Sequence, residues 1–539
     1  MVGQPQFICI ALQEVTGDAT AEHVKQCVDD AFDDLKIPED TYQKTMVSAT
    51  ADGASVNTGK YKGVQTLLKN GRSWLLTIHC VLHRVELALK DSLLQEKCFS
   101  DVKDFIILLY YLFKQSGKTK KNFRDFARDI LKVHSYTFPK VHGTRFVAHQ
   151  RRGLDALLHN WVTLAQAIET LMADRSQKTL NAKLRGVHKK LSDTEFLTVS
   201  LFFREVLEKV ACLSLKLEKG DIMIFEIALS VGRTIRALQE LEVSDVVCGP
   251  QPGPDQQLKL NCSSICFHLL PQVDPTVFDH YRHSRTSESD ASSETVTAVT
   301  QRYSHIKCEL LKVGHNRMKA SNREKVSLVF ENAKSTTEAN LQRKVDSLKT
   351  RVVPDVVDQL QEQFQSFEQE VFRNMDWLDP ANWVNTAKEL GSIQYLATRF
   401  KTPLEYHGYE ESKVLGELKD VKLCHSRFYA DAPVKTFWEK VLRFRRKEFP
   451  NICLVVELVL CIGPSNGQVE AGFSMLTAML SDRRLSLSHS TMNDLLIINA
   501  NDHVWKEDER DEIIESALDV FMCKRRKCKI ETRQFNQMG

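Results

Sequence analysis

Two acids and one cysteine–histidine pair are placed in this sequence by local pattern rather than by composition. Asp52 follows an extended, partly β-branched run (Thr45, Val47, Thr50) and is followed at once by Gly53. Helix-type sequence comes next, from about Gly63 to Lys69, and then a second strand candidate, Trp74 to Ile78. An acid at a strand end in a strand–helix–strand unit lies where an open α/β sheet presents its ligands. Glu470 lies in the first two turns of a helix expected after Gly463-Pro464-Ser465, with Ser465 and Gln468 spaced as a capping box. Acids on a strand end and a flanking helix can converge on divalent metal. Two ions about 3.5–4 Å apart can clamp the attacking and leaving oxygens of a phosphodiester. Mg²⁺ suits such a site, being held by a few carboxylates and water. An acid near a helix start is also favoured by the helix dipole alone.

Cys80 and His83 form a C-x-x-H pair between the second strand and an amphipathic helix. One pair supplies two of the four ligands that structural zinc takes, so a structural role joining sheet to helix is expected. Cys262 and Cys266 have no second pair nearby and make a poor zinc site. Cys9, Cys212, Cys453 and Cys461 sit in apolar runs and read as reduced core thiols.

The elements around these residues follow from periodicity. Phe7 to Leu12 is a short apolar run that predicts a buried strand. Thr20 to Leu35 predicts an amphipathic helix with Ala21, Val24, Cys27, Val28, Ala31, Phe32 and Leu35 inward, and Asp29, Asp30, Asp33 and Asp34 on a solvated face. Helical patterning fills His83 to about Val133 and Leu154 to Leu241. Its clearest series is Leu154, Leu157, Leu158, Trp161, Leu164, Ile168 and Leu171. Loops are expected near 248–256 (CGPQPGPDQ from Cys248) and 284–298, with helix again from about Thr300 past Phe372. Residues 401–432 show no pattern that assigns elements. Further on, Phe437-Trp438 opens a helix, Asn451 to Ile462 is an apolar run, and the helix after it should carry Val469, Phe473, Leu476 and Leu480 inward. A last helix is expected from about Ser490 to Asn501.

Bulk properties narrow the classes. A 539-residue chain that is 42% hydrophobic and 27% charged can bury a substantial core, and a net charge of +3 does not mark a dedicated nucleic-acid binder. The N-terminal stretch lacks a signal peptide's charged start and apolar core, and no apolar run approaches the roughly 20 residues of a membrane span. The basic cluster Lys524, Arg525, Arg526 and Lys527 fits a nuclear import signal, while Arg443, Arg445, Arg446 and Lys447 read as a solvated face.

DGASVNTGKYKGVQTLLK from Asp52, followed by HCVLHRVELALKDSL, resembles the core of hAT-superfamily transposases and the host proteins derived from them. FWEKV from Phe437 and the stretch from Phe449 to Asn501 resemble the hAT C-terminal dimerisation region. Similar vertebrate proteins carry TTF-type or related zinc fingers ahead of this core. The resemblance implies an α/β RNase H-like core, here N-terminally truncated, split by a large all-α insertion. In it Asp52 matches the second catalytic acid, Glu470 the final glutamate, and Cys80 and His83 the C-x-x-H element. Arg145-Phe146 stands where the family has an Arg-Trp pair whose tryptophan stacks on DNA. Arg151 and Arg152 lie close by and could meet phosphate. Ala471 replaces the arginine that usually follows the family's glutamate. The family's first aspartate lies on a strand upstream of Phe7, and Asp18, in a Gly-Asp turn, is not at that position.

The resulting expectation has four segments. Residues 1–83 form the first part of the core, 84–433 the helical insertion, 434–505 the second part of the core with the dimerisation region, and 506–539 a basic tail. The expected protein is a domesticated, catalytically incomplete, nuclear homo-oligomer rather than an enzyme, with a cytoplasmic location as the alternative. It requires no cofactor, spans no membrane, and has DNA or nuclear proteins as further partners. Phe437, Trp438, Phe473, Leu476, Leu495 and Leu496 are the expected dimerisation residues. The alternatives are an active transposase or nuclease using Mg²⁺ at Asp52 and Glu470, should an upstream segment exist, and a DNA-binding module without chemistry.

Overall fold

The computed structural model describes residues 8–115, 117–125, 137–138, 145–243, 338–480, 487–502 and 510–518, apart from residue 16 and short gaps between 162 and 180 and at 192, 219–221 and 513. Most of it is helical, around one sheet of two parallel strands. Helix α1 (Ala21–Asp34) is capped by the Thr20 hydroxyl, which accepts from His23 N. Helix α2 (Glu39–Thr45) leads into β1 (Ser48–Ala51), the short helices α3 (Ser55–Thr58) and α4 (Val64–Lys69), and β2 (Leu76–His79). The strands pair in register from Ser48 with Leu76 to Ala51 with His79. Ala21, Val64, Leu68 and Leu75 form a small apolar cluster, whereas Leu76 and Ile78 belong to the main core.

Helix α5 (Val81–Leu93) leaves β2 directly and buries Val81, Leu82, Val85, Ala88, Leu89 and Leu93. It packs along α12 (Glu338–Phe364). Between them in sequence come α6 (Lys97–Gln115), α7 (Gly117–Asp125), α8 (Phe146–His159), α9 (Asn181–Leu191), α10 (Thr194–Glu218) and α11 (Glu226–Val243). The series from Leu154 to Leu171 is buried as its spacing predicts, and the Trp161 indole donates to Leu191 O (3.1 Å). The chain continues through α13 (Glu370–Arg373), α14 (Thr386–Arg399), α15 (Lys401–Tyr406), α16 (Glu411–Phe428), α17 (Val434–Phe444), α18 (Pro450–Leu460), α19 (Gly467–Met479) and α20 (His489–Ala500). One contiguous apolar cluster reaches from Leu76 to Ile462.

Several expectations are corrected. Residues 8–12 are not a strand: Ile8 and Ile10 are exposed. Cys9 N and Leu12 N instead donate to the side chains of Asn501 and Asn493 on and beside α20, so side-chain amides replace a strand partner. Among the described residues the sheet has only two strands, so the α/β part is smaller than an RNase H-like core implies. The polar stretch 401–432 holds two helices, α15 and α16. The hidden signal is Glu417, an acid on the buried stripe of α16. Its carboxylate accepts from Asn451 N (2.8 Å), Asn451 Nδ2 (2.6 Å) and Ile452 N (2.9 Å), capping α18 from another helix. Cys453 is buried, but Cys212 and Cys461 are exposed and Cys9 only partly covered, so the four thiols are not a common core set. The loops at 248–256 and 284–298, Cys262, Cys266 and the basic residues Lys524, Arg525, Arg526 and Lys527 lie outside the described residues. Among the described residues no helix is long and apolar enough to cross a membrane.

Candidate functional site at the end of the two-stranded sheet

Asp52 is exposed just past the end of β1. Its Oδ1 accepts from Ala54 N (3.0 Å) and Asn57 Nδ2 (2.8 Å). Partial burial works against its ionisation, but the Asn57 and Ala54 hydrogen bonds, with the nearby His83 and His79, outweigh it and hold the carboxyl below its ordinary range. His79 on β2 behaves oppositely. Burial, helped by Arg84 and His83, pushes its imidazole down to about 4.

The segment leading into α19 is stitched to this sheet end. Val81 N donates to Pro464 O (3.0 Å), Asn466 N donates to Cys80 Sγ (3.2 Å), and the Thr50 hydroxyl donates to Gly463 O. With its side-chain amide turned to suit its neighbours, Asn466 donates to Thr50 O (3.2 Å) and accepts from Asp52 N (3.3 Å). The expected capping box is absent. Asn466 is the N-cap and its side chain caps nothing, while Ser465 Oγ accepts from Gly467 N (3.2 Å). Docking to the sheet takes the groups that would otherwise cap the helix. Gly467 lies so close to α10 that a Cβ there would sit 2.9 Å from Glu218 O.

One turn further, Glu470 meets a cation. Arg145, the N-cap residue of α8, donates from Nε to Glu470 Oε2 (3.1 Å) and from its terminal nitrogen to Glu218 at the end of α10. A third acid, Glu86 on α5, accepts from Val147 N (2.8 Å). Burial pushes Glu86 up to about 7 against the Val147 and Phe146 amides, with Glu470 adding to the rise and Arg145 opposing it. Sequence reasoning missed Glu86 and Glu218. The one available signal was an acid interrupting the apolar face formed by Val85 and Leu89.

This donor set does not suit a divalent ion. Glu470 Oε2 is already engaged by the Arg145 guanidinium, which it shares with Glu218. Asp52 Oδ1 already accepts two hydrogen bonds. Among the described residues no group of three or more His, Cys, Asp or Glu side chains could hold a metal ion. Cys80 is buried and accepts from Asn466 N, so Cys80 and His83 lie at a sheet-to-helix joint.

The expected DNA-contact residues are distributed unequally. Phe146 is half-buried, its ring centroid 6.0 Å from that of Phe99. Arg151 Nε lies 2.8 Å from Glu208 Oε2, paired in charge without hydrogen-bond alignment, and 3.7 Å from Asp155. Arg152 is exposed. Among the expected dimerisation residues, Phe437 and Trp438 are core: the Trp438 indole donates to Leu378 O (2.7 Å) and the ring packs against Trp377 and Trp383. Both rings are covered within the chain itself. Leu496 is buried, while Leu476 and Leu495 are partly covered. Phe473 is 56% exposed, as is Val469, and Ile498 on α20 is 62% exposed. Val469 and Phe473, expected to face inward, face solvent instead, as does Leu35 at the end of α1. Residues 413–501, from within α16 to the end of α20, match the hAT family C-terminal dimerisation region.

Proposed function

We propose that this chain is a domesticated, catalytically incomplete hAT transposase-like protein that acts in the nucleus through self-association. A dimerisation region is present by family match. The observation that carries the reading lies inside it: α19 and α20 leave Val469, Phe473 and Ile498 exposed while α18, just before them, is buried in the core. Those side chains are the free apolar surface that a second copy would cover. The Arg145–Glu470 pair supports the catalytic part of the proposal, because a carboxylate oxygen already held by a guanidinium is a poorer metal ligand. Light scattering of the full chain tests the reading. A dimer that becomes a monomer in Phe473→Glu, with unchanged circular dichroism, is expected. A wild-type monomer at micromolar concentration overturns it.

One observation favours a second reading as a nuclease: Asp52 and Glu470 flank a single stitched junction between β1 and α19. It predicts Mg²⁺- or Mn²⁺-dependent nicking that disappears in Asp52→Asn. Absence of nicking under conditions where the chain is folded and dimeric removes it.

A further inference from the structure

The stretch from Gly53 to Val85 contains no aspartate or glutamate but carries Lys60, Lys62, Lys69, Arg72 and Arg84. In a chain whose charges nearly cancel, this is a local concentration of one sign. Two of the five are committed to structure. Arg72 is buried and donates to Gln43 O and Leu68 O, and Arg84 donates to Gln363 O and Ser366 Oγ. Lys60, Lys62 and Lys69 are exposed, and none forms an ion pair with an acid among the described residues.

Between the first two lysines stands Tyr61, 81% exposed. The loop that carries it is tightly closed. Gly63 N donates to Gly59 O (2.9 Å), and the Thr66 hydroxyl donates to the same oxygen (2.9 Å). A Cβ on Gly63 would lie 2.4 Å from Gly59 N, so the closure demands glycine. The loop therefore holds the aromatic ring outward at little further entropic cost. Lys60 Nζ lies over the Tyr61 ring, 5.6 Å from its centroid.

We propose that the Lys60-Tyr61-Lys62 loop is a contact site for single-stranded nucleic acid, with a base stacked on Tyr61 and backbone phosphates met by Lys60 and Lys62. A fixed, solvent-facing aromatic flanked by unpaired cations is the combination that binds unpaired bases without reading sequence. The bases of a duplex are already stacked, so a lone tyrosine gains much less there.

Fluorescence anisotropy with a labelled 20-nucleotide oligo-dT and a duplex of equal length tests the site at low salt. The full chain should prefer oligo-dT. Tyr61→Ala should weaken oligo-dT binding about tenfold or more, while Tyr61→Phe keeps it. Lys60→Gln with Lys62→Gln should lower the slope of log affinity against log salt by about 1.4, at about 0.7 per phosphate contact. No oligo-dT binding, or binding indifferent to Tyr61→Ala, overturns the proposal. A duplex preferred over oligo-dT overturns it as well. All three positions substituted lie on the surface, so folding is not at stake. Light scattering on the same samples reads self-association separately, so failure here and failure of the dimer proposal are distinguishable.

Discussion

Helices α18 and α19 are separated by six residues, lie within the same family match and are both rich in apolar side chains, yet they end in opposite environments. Helix α18 buries Ile452, Cys453, Val455, Val456, Leu458 and Val459. Helix α19 fully buries only Gly467 and leaves Val469 and Phe473 exposed. The cause is the neighbours. α18 packs against α14, α16 and α17, and Glu417 satisfies the amides at its start. α19 touches α10 and α20 and is fixed at one end by Asn466, Gly467 and Glu470. Apolar content alone does not tell a core helix from one with an uncovered face. The difference lies in how many sides the chain itself covers.

Breaking the core side of the comparison should have the largest effect. Trp438→Ala, next to α18, should cost about 3–5 kcal/mol, read from urea unfolding, because it opens a cavity and orphans Leu378 O. On the exposed side, Phe473→Glu should leave the unfolding midpoint of the monomer within about 0.5 kcal/mol, as surface changes do. It should raise the dimer dissociation constant at least about tenfold, read by sedimentation. Equal loss of stability in the two variants would erase the distinction between the helices.

The junction that anchors α19 should show opposed pH dependences. Glu86 is raised to about 7 in the fold, so its contribution to stability is present below its ordinary value of 4.5 and lost as pH rises through about 7. His79 is depressed to about 4, so its contribution is present above its ordinary 6.5 and lost as pH falls toward about 4. Between about pH 6.5 and 4.5 the two slopes oppose each other. Melting temperature against pH should therefore keep only the acid-side loss in Glu86→Gln and only the alkaline-side loss in His79→Gln. Unchanged profiles in both would remove these groups as the source. The smallest effect should come from Arg145→Gln. Its pairs with Glu470 and Glu218 leave the arginine side chain 25% exposed, so solvent screens them and about 1 kcal/mol or less is expected in urea unfolding. Its clearer readout should be faster amide exchange at the start of α19.

Periodicity was sufficient where a helix has one covered face. α1, the buried series from Leu154 to Leu171 and α20 follow from spacing, and the strand–helix–strand around Asp52 from β-branched residues and glycines. It failed where a polar side chain serves another element. Glu417 hid α16, and Ser465 looked like a cap while Asn466 was held by the sheet. It also failed on which apolar residues are covered, as Leu35, Val469 and Phe473 show.

The sequence by itself determined the placement of Asp52 at a strand end, the helical character of the long middle region and the resemblance of two distant stretches to one family. Tertiary structure alone decided that Asp52 and the helix of Glu470 share a junction, that Arg145 pairs with Glu470, and that α19 keeps an uncovered apolar face. The physical reason is range. Periodicity and propensity are set by residues a few positions apart, whereas charge pairing and burial depend on groups that here lie 325 and more residues away in the chain.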